Sequence, residues 1–489
     1  MDKILNFKPH DVFAYFEEIS KIPRGSGNEQ RISDYLVDFA KSNNLSYIRD
    51  NYNNVIIKKN GTKGYENLPT VILQGHMDMV NEKNNDKVHD FENDPLSLVI
   101  KGDMIFADNT TLGADNGIAL AMTMAILSSD SIEHPPIEAV FTVEEETGLV
   151  GAYKLDASSL NGEYLINLDS EEEGELLVSC AGGARTKMLL PVDYTALHGN
   201  YLTYHISVKG LKGGHSGMDI IKGRGNSNII MGRILNDLQG IMNFEIFSIN
   251  GGSKMNAIPR ECDLVIGISP KDKENLEFFV DKFEGNIKNE LREKDDDVKI
   301  TLNETSIISD KVLNEDSKSR LIAALMLIPN GVYTMSASIE NLVESSSNLG
   351  IVTTNSDHIL FESAVRSSVN SLKKVILQKQ KNLANLLWAE LTIDSDYPEW
   401  QYNPDSKLRT HFQNVYKKLT GKAAHITAIH AGVECGLFKE KMPNLDMISI
   451  GPNMYDVHTP NEHISISSVE RTYEYLLAIL KDFKNIESI

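Results

Sequence analysis

The sequence contains few of the residues that hold disulfide-rich or metal-clipped small proteins together. Its three cysteines, Cys180, Cys262 and Cys435, are far apart and form no C-x-x-C pair. A disulfide framework and a structural zinc knuckle are therefore not expected, and a reducing compartment fits this composition. The amino-terminal stretch carries acidic residues early and has no long apolar core, so we expect no signal peptide and a cytoplasmic protein.

The sequence also lacks an excess of basic residues and any apolar run near the roughly 20 residues that span a bilayer. Lys and Arg number 48 against 69 Asp and Glu, which gives a formal net charge of −21. This balance argues against nucleic acid and anionic membranes as partners, although it selects no substrate. The remaining composition, 41% hydrophobic and 24% charged residues, is ordinary for a globular protein.

The length of 489 residues predicts two domains, because one hydrophobic core rarely serves so long a chain. Strand-like runs alternate with helical segments over residues 1–184 and again over residues 397–489, which predicts an α/β/α domain with a mostly parallel sheet. Residues 185–396 have strands spaced for an antiparallel sheet with helices on one face, which predicts an inserted α+β domain. Two similar halves, an internal duplication, would account for the length of this insertion.

Local patterns support individual elements of the first domain. The segments NNVIIKK, TVILQG, IEAVFTV and EYLINLD have the length and apolar content of buried strands. The segment GSGNEQRISDYLVDFAKS predicts a helix that is capped by Ser26 or Asn28.

Polar side chains follow several of the predicted strands at the point where each strand ends. They are His76 after TVILQG, Glu145 and Glu146 after EAVFTV, Asp169 at the end of EYLINLD, and His458 beyond DMISIG, with Asp115 in the GADNG turn at a helix start. Open α/β sheets gather functional groups at the carboxyl ends of their strands, so these segments are expected to converge on one cleft. Two histidines with several carboxylates are a ligand set for zinc, cobalt or manganese, and not for calcium or a structural thiolate site.

The number of these ligands predicts two metal ions. One ion would take His76, Asp169 and one oxygen of Asp115. The other would take His458, Glu146 and the second oxygen of Asp115. A bridging carboxylate holds two ions roughly 3.5–4 Å apart, where they can share one water. Each ion then has three protein ligands and an open position, which is typical of catalytic zinc and not of structural zinc.

Two acids beside the ligands have predicted roles of their own. Asp78 is expected to accept the second ring N–H of His76 and so to fix the tautomer of that ligand. Glu145 is placed to take the proton of the shared water and to deliver it to a leaving amine. Taken singly, Asp115 is better explained as a helix cap, and Glu145 and Glu146 as acids at a helix start. The conjunction of five ligand candidates at strand ends is what favours a metal centre.

Six segments resemble, in this order and with compatible spacing, those of the di-zinc aminoacyl-histidine dipeptidases: GHMDMV, GADNGIALAM, TVEEETGLVGA, LINLDSE, GLKGGHSG and GPNMYDVHTPNEH. This family of bacterial Xaa-His dipeptidases, also called cytosolic non-specific dipeptidases, belongs to a clan that includes carnosinases and aminoacylases. The resemblance covers nearly the whole chain without a departure at a ligand position, although Glu144 stands where the family often has aspartate. It implies two zinc ions on the ligands above, Asp78 and Glu145 as the catalytic pair, and an inserted domain that acts as a lid.

The resemblance also implies substrate contacts from the inserted domain. His215 in GGHSG is similar to the histidine of the family that reaches the scissile carbonyl and stabilises the oxyanion. Asn256 and Arg366 resemble the groups that hold the free carboxylate of the dipeptide, a task that suits the two parallel hydrogen bonds of a guanidinium. Gly432 in HAGVECG would add backbone contacts at the same end. Arg366 as a surface ion-pair residue and Gly432 as a simple turn remain open alternatives.

The function predicted from the sequence is therefore a metal-dependent dipeptidase, monomeric or homodimeric, that closes its lid over a small dipeptide. The alternative enzyme is an N-acyl-amino-acid deacylase, which would use the same metals and carboxylate contacts but no group for a free α-amine. A catalytically silent binding protein on the same fold is disfavoured, because Glu145 and all five ligand candidates are present. The preferred dipeptide, the native metal, and whether His215 acts in its own subunit or across a dimer are left open.

Overall fold

The structure is a computed structural model that describes residues 4–306 and 309–488. The chain forms two compact units. Unit 1 comprises Met1–Ser179, Trp400–Ala428 and Val433–Ile489, and unit 2 comprises Cys180–Glu399 and Ile429–Gly432. The insertion predicted at residues 185–396 falls inside unit 2, and its exact limits stay a prediction.

The amino-terminal segment of unit 1 alternates helices with strands. Its helices are α1 (His10–Ile19), α2 (Gln30–Ser42), α3 (Ala114–Ser128) and α4 (Val150–Lys154). Its strands are β1 (Ser46–Arg49), β2 (Val55–Lys59), β3 (Val71–His76), β4 (Leu98–Lys101), β5 (Met104–Ala107), β6 (Ile137–Thr142), β7 (Tyr164–Asn167) and β8 (Glu175–Cys180). The four strands predicted from the sequence are β2, β3, β6 and β7. The predicted cap of α2 is wrong, because Glu29 precedes the helix and no side chain caps it.

Over its described residues, unit 2 contains four α-helices and strands of up to 12 residues. The helices are α5 (Ser227–Leu238), α6 (Lys273–Leu291), α7 (Glu315–Leu327) and α8 (Asn370–Leu386). The strands are β9 (Gly182–Pro191), β10 (Tyr194–Ala196), β11 (Leu202–Lys209), β12 (Gly214–His215), β13 (Phe244–Gly251), β14 (Ala257–Ile258), β15 (Cys262–Ile268), β16 (Lys299–Thr305), β17 (Lys311–Leu313), β18 (Gly331–Met335), β19 (Val343–Thr354), β20 (His358–Ser367) and β21 (Glu390–Tyr397).

The carboxyl-terminal segment returns to unit 1. Its helices are α9 (Lys407–Thr420), α10 (Cys435–Lys441) and α11 (Ile466–Asp482), and its strands are β22 (His425–Ile429), β23 (Asp446–Ser449), β24 (Met454–Tyr455) and β25 (His463–Ser465). Short 3-10 turns lie at Ile4–Asn6, Ala157–Ser159, Ile220–Lys222, Pro270–Asp272 and Phe483–Ser488.

The main sheet of unit 1 has the strand order β1-β2-β6-β3-β7-β23-β8-β22. Its four central strands are parallel, since β3 pairs in parallel with β6 and β7, and β7 with β23. Outside them, β1 pairs antiparallel with β2, β2 with β6, and β8 with β23. Every residue of β3, β6 and β7 is buried, which explains why these strands are rich in apolar residues at successive positions. The carboxyl ends of these three strands lie along one edge of the sheet.

The main sheet of unit 2 has the order β16-β11-β15-β13-β19-β20-β9-β21, with β18 beside β19. Its elements form two halves of the same kind. One half consists, in chain order, of β11, α5, β13, β15, α6 and β16. The other half consists, in chain order, of β9, α7, β19, β20, α8 and β21. Both are βαββαβ units in which the first strand lies between the third and the fourth. The halves join where β13 pairs with β19. This is the arrangement that an internal duplication predicts, with the first half inserted after β9 of the second.

Over the described part of the chain, no helix is both long enough and apolar enough to span a membrane.

Candidate metal centre and substrate-binding cluster

The five predicted metal ligands all lie at the carboxyl edge of the unit 1 sheet or in loops beside it. His76 is the last residue of β3, and Asp169 lies two residues beyond β7. Glu146 follows β6, Asp115 lies at the start of α3, and His458 follows the short strand β24. Neighbouring parallel strands end at the same edge, so three of these residues meet there although the chain separates them widely.

Asp115 presents its two carboxylate oxygens to two different histidines. Its Oδ1 lies 3.2 Å from Nε2 of His76, and its Oδ2 lies 3.1 Å from Nε2 of His458. His76 Nε2 is also 3.4 Å from Oδ1 of Asp169, and His458 Nε2 is 2.9 Å from Oε1 of Glu146. Two clusters therefore share one carboxylate, in the pairing predicted for two ions with a bridging aspartate.

The spacing of these atoms suits metal coordination. One candidate group joins His76, Asp115 and Asp169, and another joins Asp115, Glu146 and His458, with the ligand atoms of each within 4.8 Å of one another. Tetrahedral ligands on bonds of about 2.1 Å lie about 3.4 Å apart, close to the observed separations. Oδ1 of Asp169 is buried and accepts no hydrogen bond. Such an oxygen is costly to bury unless a cation pairs with it, so the residues fit a pair of divalent ions.

The charges of the cluster also favour cations. Burial raises the pKa of Asp169 to about 6. Burial would likewise raise the pKa of Asp115, but hydrogen bonds to His458 and His76 outweigh it and hold that pKa below its usual range. Hydrogen bonds to Asp115 and Glu146 raise the pKa of His458 to about 11. The acids at this edge thus stabilise a positive charge on the histidines. Divalent ions would supply that positive charge instead, with the imidazoles as neutral ligands.

Asp78 connects the ligand His76 to the turn that carries the predicted base. Its Oδ1 lies 3.2 Å from Nδ1 of His76, so the ring donates this N–H and leaves Nε2 free for coordination. The same carboxylate accepts the backbone N–H of Glu145 at 3.0 Å and of Glu146 at 3.2 Å, and the hydroxyl of Ser26 at 2.8 Å. Asp78 is 0% exposed. One buried side chain therefore orients both the imidazole and the loop of acids.

Glu145 lies within reach of the metal ligands. A third candidate group joins it with His76 and Glu146, with atoms within 4.8 Å of one another. Burial is the main reason that the pKa of Glu145 lies well above its usual range, and the nearby charge of Asp169 adds to it. A carboxylate that accepts a proton readily and lies beside a candidate site for two metal ions has the properties required of a general base.

Two buried charged residues that were not predicted hold the Asp115 loop. The carboxylate of Glu462 accepts four consecutive backbone N–H groups, those of residues 112–115, at 2.7, 2.9, 2.8 and 3.3 Å. Arg24 donates to the carbonyls of Met77 at 2.8 Å and Asp78 at 2.9 Å, and also to that of Gly113. Both are 2% exposed. Glu462 stands four residues after His458 in the sequence, but nothing in that spacing indicates that it binds a loop some 350 residues away.

A buried polar layer lies beneath the ligands. Gln74 donates to Oε2 of Glu434 at 2.5 Å, and Thr142 donates to the same oxygen at 2.8 Å. Asn167 donates to Oε1 of Gln74 at 2.5 Å. Gln74 stands two residues before His76 on β3, so both side chains point to the same face of the sheet. Burial raises the pKa of Glu434 to about 7.

The four predicted substrate contacts all belong to unit 2. His215 on β12 pairs with the residue after Asn256, and Asn256 accepts the N–H of Ser216 at 2.9 Å through its backbone carbonyl. Nη2 of Arg366 lies 3.4 Å from Nε2 of His215. Gly432 lies against the ring of Tyr397, since a Cβ there would be 2.6 Å from a ring carbon. The predicted set is therefore brought together within this unit.

The contacts of His215 fix its tautomer. Nδ1 lies 3.3 Å from the backbone N–H of Gly217 and 3.2 Å from that of Met218, so it acts as an acceptor and carries no proton. The proton of the neutral ring is then on Nε2, which faces Arg366. Burial, and after it the charge of Arg366, lowers the pKa of His215. The side chain is thus a neutral N–H donor, which is what stabilisation of an oxyanion requires.

Comparisons with known proteins agree with this architecture. Residues 72–482 match the model of peptidase family M20/M25/M40. The cytosol non-specific dipeptidase of Escherichia coli (strain K12) is 37% identical over 483 residues, 99% of each chain. The crystal structure of aminoacylhistidine dipeptidase from Vibrio alginolyticus aligns with a TM-score of 0.94 at 37% identity, over 98% of each chain. Aminopeptidase PepT from Bacillus cereus ATCC 10987, with a TM-score of 0.57 and 16% identity over 98% of this chain and 99% of its own, shares the fold alone.

Proposed function

The chain belongs to peptidase family M20/M25/M40 and is a hydrolase that acts on peptide bonds; we propose that it is a di-metal dipeptidase that cleaves unblocked dipeptides, Xaa-His among them. The observation that carries the proposal is the shared carboxylate of Asp115, whose two oxygens face His76 and His458. The full-length likeness to a cytosol non-specific dipeptidase supports the dipeptide substrate. The name of that relative also supports a cytoplasmic location.

The metal centre would hold two divalent ions. His76, Asp115 and Asp169 would hold one, and Asp115, Glu146 and His458 would hold the other. The ligand types favour zinc, with cobalt or manganese as alternatives. When bound, such a pair of ions polarises a peptide carbonyl and lowers the pKa of a water.

Glu145 is the proposed acid–base residue. Its carboxylate would take a proton from the attacking water and then donate it to the nitrogen of the leaving amine. Its raised pKa suits both halves of that transfer, because the protonated form persists long enough to be the donor. Asp78 would act through its neighbours, as the acceptor for His76 and for the N–H groups of residues 145 and 146.

The proposed substrate contacts come from unit 2. Arg366 and Asn256 would bind the terminal carboxylate of the dipeptide, and the backbone at Gly432 would add to that contact. The Nε2–H of His215 would donate to the oxyanion that forms on the scissile carbonyl. A contact to a terminal carboxylate explains a preference for dipeptides, because a long polypeptide has no free carboxylate at that position.

The proposal is tested with chelator-stripped protein that is reloaded with single metals and assayed on a dipeptide panel. We expect hydrolysis of Ala-His with two ions per chain and little hydrolysis of N-acetyl-histidine, which a deacylase would prefer. Light scattering of the loaded protein gives the number of chains in the active species. Hydrolysis of neither substrate at full metal occupancy would contradict the proposal.

Glu145→Gln tests the base. We expect metal binding and Ala-His binding to persist while kcat falls by about 100-fold or more. Glu144→Gln is the matched control, because Glu144 belongs to none of the candidate ligand groups over the described residues. Hydrolysis by Glu145→Gln at the wild-type rate would show that another group takes the proton.

A further inference from the structure

Tyr397 holds a fixed place beside Arg366 at the end of β21. Its hydroxyl oxygen accepts a hydrogen bond from Nη1 of Arg366 at 3.0 Å. Its ring covers Gly432, and a Cβ at Gly183 would lie 2.4 Å from the hydroxyl oxygen. Lys373 donates to the backbone carbonyl of Tyr397 at 2.9 Å. Two glycines therefore make room for this ring, and a buried lysine holds its backbone.

Arg366 and the neighbouring ring nitrogen of His215 are both hydrogen-bond donors. Arg366 has no carboxylate within ion-pair distance in the described ranges, and its Nε is buried without an acceptor. Its Nη2 faces Nε2 of His215 at 3.4 Å, and that nitrogen carries the ring proton. Two donors at this separation do not bond to each other; an oxygen that both can reach satisfies them. The cluster is therefore suited to bind an anion.

The Tyr397 hydroxyl adds a third donor to this pair. Its oxygen accepts from Arg366, so its own proton is free to be donated elsewhere. Hydrogen bonds to a charged acceptor are stronger than those between neutral groups, which makes a carboxylate the natural acceptor for this proton. We propose that Tyr397 is a further substrate-binding residue, whose hydroxyl donates to the terminal carboxylate that Arg366 holds. This inference rests on the proposed function.

Tyr397→Phe tests the inference because it removes the hydroxyl and keeps the ring over Gly432. The substrates are Ala-His and its carboxyl-terminal amide, which has no carboxylate. For Ala-His we expect KM to rise by roughly 10-fold or more with kcat little changed, since a contact equal in ground and transition states affects KM alone. For the amide we expect the wild-type protein and the variant to have the same high KM. An unchanged KM for Ala-His, or an equal rise for both substrates, would overturn the assignment.

A binding measurement separates this inference from the proposed function. Calorimetric titration of Ala-His into metal-loaded Glu145→Gln and Glu145→Gln/Tyr397→Phe gives the same comparison without turnover. A roughly 10-fold weaker Kd in the double variant supports the role of Tyr397 even if the wild-type protein hydrolyses no dipeptide. Equal Kd values refute it even if hydrolysis is rapid.

Tyr194→Phe is the matched control. Tyr194 lies in the same unit and donates its hydroxyl proton to the backbone carbonyl of Asn355 at 3.1 Å. We expect KM and Kd for Ala-His to stay at wild-type values in this variant. Thermal unfolding of both phenylalanine variants is measured alongside, and a loss of affinity in Tyr397→Phe at an unchanged Tm identifies binding as the cause.

Discussion

Glu462→Gln is the substitution with the most specific structural consequence. The two oxygens of Glu462 divide four N–H groups between them: Oε2 accepts from Leu112 and Gly113, and Oε1 accepts from Ala114 and Asp115. Glutamine has nearly the same shape but replaces one acceptor oxygen with an NH2 group that donates. Two buried N–H groups would then face a donor and lose their acceptor.

The magnitude follows from this count. A buried donor that loses its acceptor costs about 1–3 kcal/mol, so two cost about 2–6 kcal/mol. The charge that opposes buried Arg24 is lost as well. A folded domain is stable by only about 5–15 kcal/mol, so this loss is a large fraction of the total. Because one of the N–H groups belongs to Asp115, we expect the carboxylate shared between the two ions to lose its position and metal affinity to fall.

The assay combines thermal unfolding with metal titration. We expect the Tm of Glu462→Gln to fall by about 10 °C and one of the two ions to bind more weakly. Glu474→Gln, on the exposed side of α11, is the control and should keep the wild-type Tm and both ions. If Glu462→Gln unfolds at the wild-type Tm and holds two ions with wild-type affinity, the four hydrogen bonds do not position Asp115 and the reasoning is wrong.

Metal removal, the carboxylate of Asp78 and the buried imidazole of His430 each have a measurable effect on stability or metal binding. Removal of metal by a chelator should lower the Tm, and saturation at about 1,000 times the Kd should restore about 4 kcal/mol of stability, as measured by calorimetry with and without added zinc. Asp78→Asn should weaken metal binding by about 10- to 100-fold, because the amide has one acceptor oxygen in place of two and no negative charge, so it cannot serve both His76 and the N–H groups of residues 145 and 146; competition with a chromophoric chelator measures this. Burial, followed by the charge of Arg366, lowers the pKa of His430 to about 3 from 6.5, so the unfolded chain takes up a proton at acidic pH that the folded chain does not. Stability should therefore fall by up to about 1.4 kcal/mol per unit as pH drops from 6.5 towards 3, and His430→Gln should flatten that part of the Tm–pH curve.

Much of the unit 1 fold was predictable because its central strands are buried on both faces. Such strands are mostly apolar, and β3, β6 and β7 therefore stand out in the sequence although each also carries buried polar residues. The cap of α2 was not predictable in the same way. Ser26 has the right residue type, but its hydroxyl is bound to Asp78 and is not free to cap the helix. A tertiary contact outweighed the local preference.

The duplication in unit 2 was predictable in outline and not in its boundaries. The sequence shows two series of strands and helices, which suggest two halves that follow one another. In the structure the first strand of the second half, β9, precedes the whole of the first half and pairs with β20 and β21. The order of elements along the chain does not reveal which strand pairs with which, because pairing is decided by contacts between residues that are far apart in sequence.

The sequence by itself determined the chemistry of the candidate metal centre. Histidines with acids are a zinc-type ligand set, and four of the five candidates follow strand ends, so residue type and local position were sufficient to propose all five, which the structure brings into two groups that share Asp115. Only the tertiary structure revealed Glu462 and Arg24, which hold the Asp115 loop, and Tyr397, which contacts Arg366. The role of each depends on a partner loop that lies elsewhere in the chain, and a buried carboxylate, guanidinium or phenol looks the same in the sequence as one on the surface.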